Sequence, residues 1–243
     1  MERKSKQKRR LQRSPPIKDL RALAVSKGVD PEGMSKSSLI RALAAMKGET
    51  KKPAYKIIKN LGMKGKEGHV VEIATRGKSY AKKQFRKNKS SIKLRKEVAM
   101  QKIGAKLGVS PTIKEFNLNE KYIIMTKLDK NLYDIMRKKH GQLSQTHQRA
   151  LLRIFKKLDK GGVFHKDPNP LNFMFAGTKL QIIDYGFAEE IKDEKHGKNP
   201  NLYQMTLGLL IKFKSLFPGI ICGVEYPILL NALPVHLQSV ILQ

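Results

Sequence analysis

"VFHKDPNPLNFMF", residues 163–175, sets Asp167 five residues before Asn172 in an apolar frame. Twelve residues after Asn172, "IIDYGFA" places Asp184 directly before Tyr185 and Gly186. The intervening "FMFAGTKLQIID" reads as a short strand pair. A hairpin of that kind brings Asn172 and Asp184 side by side at one end of two paired strands. An amide oxygen and a carboxylate are hard ligands suited to Mg²⁺. Asp167, on the loop just ahead, then faces the same cavity. Alone, the stretch is an ordinary loop with a suggestive spacing, so its reading depends on what surrounds it.

On the N-terminal side, "NLYDIMRKKH" and "SQTHQRALLRIFKKLDKGG" carry helical patterns, the second ending at a Gly pair. After the hairpin comes a final helical region from about residue 200. Before Leu128 the pattern differs. "YKIIKNLG" and "HVVEIATRGKSYAKKQF" alternate like strands, with "TRGK" as a turn. "SIKLRKEVAMQKIGAKLG" reads as a helix over roughly 91–107, and "TIKEFNLNEKYIIMTKL" as two strands around an Asn-rich turn. A strand-rich part followed by a helix-rich part predicts an α+β chain.

Phosphoryl transfer asks for metal ligands, a cation near the phosphates and a group that orients the nucleophile. "SYAKKQF" offers Lys82 and Lys83, which point to opposite faces of a strand, Lys83 sharing its face with Ala81. "LGMKGKEGHV" supplies Gly62, Gly65 and Gly68, where the lack of a Cβ lets backbone N–H groups approach phosphate.

Taken together these segments resemble the protein-kinase superfamily. "HKDPNPLN" is similar to its catalytic loop, His-x-Asp with Asn five after the Asp, and "DYG" to its metal-binding Asp-Phe-Gly. The resemblance implies a bilobal fold: a strand-rich N-lobe over 55–128 and a shortened helical C-lobe over 129–243. It implies ATP and Mg²⁺ as cofactors, with Asp167 as catalytic base and Asn172 and Asp184 holding the metal. It selects Lys83 for the α- and β-phosphates, with Ala81 roofing the adenine pocket. The expected ion-pair partner is Glu97, the one carboxylate in its helix. Gly62, Gly65, Gly68 and Val70 become the phosphate loop, whose first gap is one residue longer than G-x-G-x-x-G. Met125 becomes the gatekeeper, and the backbone of Lys127 faces adenine. His165 and Tyr185 are expected to pack the loop.

The chain departs from the family behind this site. Only 57 residues follow Gly186, no Ala-Pro-Glu appears, and Asn169 stands where a Lys is often found. These features are similar to compact atypical kinases of the RIO type, or to small kinases of large DNA viruses.

The chain carries 50 Lys+Arg against 20 Asp+Glu, a formal net charge of +30 over 243 residues. Such a field favours polyanionic partners. Residues 1–14 read as a basic disordered tail, suited to nuclear localisation, to clinging to DNA, or to neither. Residues 15–48 read as two short helices, the first opening after Pro15 and Pro16 with Ile17, Leu20, Leu23 and Ala24 at helical spacing and closing at Gly28. The second is capped by Ser35 and carries Leu39, Ile40 and Leu43. The unit resembles the SAP or helix-extension-helix DNA-binding modules; a hairpin packed on the larger domain has the same pattern. Gly48 and a linker over 49–54 close it. Cys222, a lone cysteine, reads as a small core residue. The most apolar region, residues 207–235, is broken by Lys212, Lys214, Glu225 and three prolines, so no membrane span is expected. The reading is a soluble intracellular Ser/Thr kinase acting on a protein substrate, in a setting that is nuclear or virion-associated, with nucleic acid as a second partner through its basic tail and hairpin. A nucleotide-binding pseudokinase or regulator, and a factor whose main activity is DNA binding, are the competing classes.

Overall fold

A computed structural model describes residues 16–26, 29–47, 55–62, 65 and 67–243. The basic tail 1–14, Pro15, Gly28, Gly48 and the linker 49–54 lie outside the described residues. The chain forms two compact units, Met1–Ala54 and Tyr55–Gln243.

The first unit contains α1 (Ile17–Ser26) and α2 (Lys36–Lys47). Ser35 caps α2, its Oγ accepting from Ser38 N–H at 3.1 Å. Leu20 and Ala24 of α1 pack against Leu39 and Leu43 of α2, joined by Val29 and Met34. Two helices this short share one seam, filled by an i, i+4 pair from each. Ile17, Leu23 and Ile40, which the spacing placed beside that face, fall outside the seam and are exposed.

The second unit opens with a five-stranded antiparallel sheet. Its strands are β1 (Lys56–Asn60), β2 (Gly68–Thr75), β3 (Lys78–Phe85), β4 (Ile113–Asn117) and β5 (Tyr122–Thr126), in the order β1-β2-β3-β5-β4. The β2–β3 turn holds Arg76 and Gly77 at positive φ, the geometry a two-residue hairpin needs to match strand twist. The β4–β5 turn is fixed by Asn117, whose Oδ1 accepts from the N–H groups of Asn119 and Glu120. On one face Ala81, Phe85, Ile123 and Met125 pack against Leu94 and Val98 of helix α3 (Ser91–Lys106). On the other, Val71, Ile73, Tyr122 and Ile124 gather with Tyr55 and Tyr80.

After β5 the chain is mainly helical. Helices α4 (Leu132–Lys138) and α5 (Gln145–Lys160) precede β6 (Val163–Phe164). A 3₁₀ turn, Pro170–Asn172, leads into the hairpin β7 (Phe173–Ala176) and β8 (Lys179–Ile182). A second, Tyr185–Phe187, leads to β9 (Glu189–Glu190), which pairs with β6, and to α6 (Asp193–His196). A π-helical turn, Asn201–Met205, opens α7 (Thr206–Leu216), followed by α8 (Cys222–Glu225), α9 (Pro227–Leu230) and α10 (Val235–Leu242). Leu151, Phe155 and Leu158 of α5 meet Phe173, Tyr185, Phe213 and Tyr226 in one large core, which also takes in Cys222. The chain is thus a mixed α/β protein; in its second unit the five-stranded sheet, with α3 between β3 and β4, precedes the remaining helices. Among the described residues no helix is long and apolar enough to cross a membrane.

Candidate active site

Strand alternation decides which lysine enters the site. Lys82 turns to the tyrosine face, its Nζ donating to Tyr55 Oη at 2.6 Å and lying over the Tyr122 ring. Lys83 turns to the opposite face, where Nζ donates to Glu97 Oε1 and to Asp184 Oδ1, each at 2.8 Å. Its partners come from α3 and from the end of β8, elements far apart in sequence. Glu97 retains 1% of its side-chain surface and Lys83 13%, whereas Asp184 keeps 41% and opens to solvent. Burial alone would make the Lys83 ammonium easier to deprotonate. The carboxylates of Asp184 and Glu97 outweigh it and raise its pKa. Burial acts on Asp184 in the opposite sense, and Lys83 overcomes it and holds the carboxyl below its ordinary range. Both partners are therefore charged at neutral pH.

The β7–β8 hairpin puts Phe173 opposite Ile182, so Asn172 and Asp184 emerge at the same end. Asn172 donates from Nδ2 to Asp167 Oδ2 at 2.7 Å. Its Oδ1, the atom suited to a hard cation, has no hydrogen-bond partner among the described residues. Asp184 sits in the left-handed region (φ 64°) and Lys166 does likewise (φ 69°). Such conformations cost energy in a non-glycine residue and need surrounding contacts to hold them.

Those contacts are present. His165 is fully buried, its Nε2 3.0 Å from the carbonyl of Ile183. Burial depresses its pKa, outweighing the favourable Ile183 carbonyl and Asp167. The ring lies edge-on to Tyr185, and Tyr185 Oη bonds Ser110 Oγ beneath Gly104. A Cβ on Gly104 would strike both of those oxygens, so a side chain there would have to displace the Tyr185–Ser110 bond. Asn169 caps the 3₁₀ turn, its Oδ1 accepting from Leu171 N–H at 3.1 Å.

The glycine segment joins β1 to β2. Gly62 adopts φ +78° at the end of β1, and Gly65 N–H donates to the Gly68 carbonyl at 2.8 Å. Gly68 faces Phe85 in the ladder, where a Cβ would run into the Gln84 carbonyl. Val70 pairs with Lys83, and Ala81 pairs with Met125. The Met125 sulfur accepts from Gln101 Nε2 at 3.5 Å. Lys127, one residue past β5, directs its side chain to Glu72 at 3.1 Å. The segment beyond it pairs with β7: Asp129 N–H donates to Phe175 O at 2.7 Å, and Phe175 N–H to Lys130 O at 2.8 Å.

Four further residues belong to this constellation. Lys89 donates to Glu97 Oε2 at 3.0 Å and to Glu67 Oε2 at 2.8 Å, tying the glycine segment to α3. Glu67, Glu97 and Asp184 thereby converge, with carboxylate oxygens within 4.8 Å of one another. Nothing marks Lys89 in the basic run "RKNKSS", although Glu67 is the single acid in the glycine segment. Asn201 is fully buried and accepts from His165 N–H at 3.0 Å while donating to Val163 O and Asp159 Oδ1, each at 2.7 Å. Asp159 also accepts from the backbone N–H groups of Asn201 and Leu202. An acid in the last turn of a helix opposes the helix dipole, which is the one sequence hint that Asp159 has another duty.

No family model matches the chain. It is 29% identical over 133 residues to a probable serine/threonine-protein kinase of Dictyostelium discoideum, covering 53% of this chain and 25% of that protein. It is 28% identical over 116 residues to cyclin-dependent kinase F-3 of Oryza sativa subsp. japonica, covering 45% of this chain and 26% of that protein. The chain spans about a quarter of the length of the curated relatives it matches. These similarities suggest a protein-kinase-like chain.

Proposed function

We propose that the chain is a kinase that uses ATP and Mg²⁺ to phosphorylate Ser or Thr of a protein. The observation that carries this reading is Lys83 held between Glu97 and Asp184 at 2.8 Å from each. The two kinase relatives support it. The donor set fits the metal: Asn172 Oδ1 has no hydrogen-bond partner among the described residues, and the Asp184 carboxylate is ionised and partly open to solvent. Mg²⁺ held there would neutralise charge on the phosphates.

In this reading Lys83 binds the α- and β-phosphates, and Glu97 keeps the ammonium from collapsing onto Asp184 alone. Asp167 orients the acceptor hydroxyl and takes its proton, with Asn172 Nδ2 fixing the carboxylate. Gly62, Gly65, Gly68 and Val70 cover the phosphates. Ala81, Met125 and the Lys127 backbone line the adenine site. The sheet over 55–128 and the helices over 129–243 are then the two lobes, in a compact form like the RIO or large-DNA-virus kinases. The basic tail, with the helical unit in the manner of a SAP module, serves as a tether to nucleic acid in a nuclear or virion-associated setting, a role supported by the net charge of +30.

Incubation with ATP and generic acceptor proteins, followed by phosphoamino-acid analysis, tests the reading. Phosphoserine or phosphothreonine is expected, and its yield should vanish on removal of Mg²⁺. ATP binding without any transfer would instead assign a nucleotide-binding regulator.

A further inference from the structure

Helix α5 has an exposed face of a single sign. Arg149, Arg153, Lys156, Lys157 and Lys160 are all exposed along it. The helix contains one acid, Asp159, and that side chain turns to Asn201. Arg149/Arg153, Arg153/Lys157 and Lys156/Lys160 are like-charged neighbours at i, i+4, an arrangement that destabilises a helix unless an anion offsets it. Arg149 is held by Gln145 Oε1 at 3.1 Å and Lys157 by the Leu107 carbonyl at 3.0 Å. Arg153, Lys156 and Lys160 have no hydrogen-bond or ion-pair partner among the described residues. Arg149 and Lys160 are eleven residues apart, roughly 16 Å along the axis.

This face runs into a cavity of about 860 Å³, which Arg153 and Lys157 also line. Its floor includes Val109, Ile154, Phe175 and Leu180, and its rim adds Lys130 and Lys179. The one acid in its lining, Asp129, is occupied by the Gly177 N–H at 2.9 Å. His147 stands in the wall, edge-on to Phe175 with ring centroids 5.2 Å apart. Burial and the charge of Lys139 lower the His147 pKa, so the ring is neutral and available for stacking. The cavity opens at the turn of the β7–β8 hairpin, about 13 Å along the strands from Asn172 and Asp184.

We propose that this groove is a binding site for single-stranded nucleic acid, with phosphates along the basic face of α5 and one base in the cavity beside His147. A row of cations leading to an aromatic-walled, apolar-floored cavity is the pairing that single strands use, phosphate to cation and base to ring. A duplex keeps its bases stacked and leaves such a cavity unused, and a run of Asp and Glu has no flat ring to fill it. The inference is independent of the kinase reading.

The test uses the 243-residue chain and a fluorescein-labelled, mixed-sequence single-stranded DNA oligonucleotide, with anisotropy followed across a salt series. The triple variant Arg153→Glu, Lys156→Glu, Lys160→Glu should bind at least tenfold more weakly near 0.15 M salt, and its log–log salt slope should be shallower by about two, at ~0.7 per lost contact. The corresponding Gln variants should shift in the same direction by less, and serve should the reversals fail to fold. His147→Ala should weaken binding roughly fivefold with an unchanged slope, since a stacking contact releases no counterions. Unchanged affinity and slope in folded triple variants would overturn the site. Unchanged affinity in His147→Ala would overturn the seated base. Equal displacement of the oligonucleotide by polyglutamate of matched charge would overturn the choice of nucleic acid in favour of an acidic protein.

Discussion

Lys89 extends the site by one residue beyond the Lys–Glu pair. Glu97 is almost wholly buried with two carboxylate oxygens, and Lys83 satisfies only one of them. Lys89 takes the other and reaches Glu67 as well. Both ammonium groups also lie over the Phe85 ring, at 4.9 and 5.0 Å. Truncation by Lys89→Ala leaves a buried carboxylate oxygen unpaired and should cost roughly 1–3 kcal/mol in thermal or urea unfolding. It should also raise KM for ATP more than Lys89→Arg does, because the guanidinium fork can still donate to both carboxylates. Equal KM values for the two variants would limit Lys89 to a structural role. The resemblance singles out Lys83 and Glu97; alternation in sequence separates Lys83 from Lys82, and Glu97 is the one acid in its helix. Lys89 is not legible in this way, because its position is set by how the chain leaves β3 and returns to α3, and no period or spacing encodes that path.

At the scale of elements, the loop carrying Asp167 is held from behind by Asn201 and from the side by Glu189. Asn201→Ala strands the His165 N–H and the Val163 carbonyl in a dry interior and should destabilise the fold by on the order of 3 kcal/mol. Asn201→Asp sets a carboxylate against Asp159, and adding Asp159→Asn should recover part of that loss in a double-mutant cycle. Glu189 Oε1 accepts from Lys166, Lys195 and His196 at 3.0, 2.9 and 2.7 Å, joining the loop to the segment after Gly186. Those donors, Lys195 foremost, lower its pKa to about 2. A depressed carboxylate stabilises the fold above its unfolded pKa, near 4.5, and the gain fades as pH falls toward 2. Glu189 is partly exposed, so the effect should be about 1 kcal/mol at most. The difference in unfolding free energy between the native chain and Glu189→Gln should therefore be constant from pH 6 to 8 and shrink below pH ~4.5. A difference that instead grows on acidification would contradict the assignment. The strands and helices themselves were largely legible: the positive-φ turn at Arg76–Gly77 and the glycine end of α5 are local chemistry. The clamps through Asn201 and Glu189 were not, since each links segments that only tertiary packing brings together.

For the whole molecule, a sheet followed by helices places Lys83, Glu97, Asp167, Asn172 and Asp184 in one region although they span more than a hundred positions of sequence. Order along the chain was the legible part, and depth of burial was not. The spacing of Ile17, Leu23 and Ile40 implied a wider seam in the first unit than two short helices can close. In the proposed reading this convergence performs phosphoryl transfer. Transfer of the γ-phosphate from radiolabelled ATP to a generic acceptor, compared between the native chain and the Asp167→Ala and Asp184→Asn variants, decides the matter. Transfer by the native chain is expected, with background counts from both variants and circular dichroism unchanged in each. Undiminished transfer by Asp184→Asn would contradict that reading.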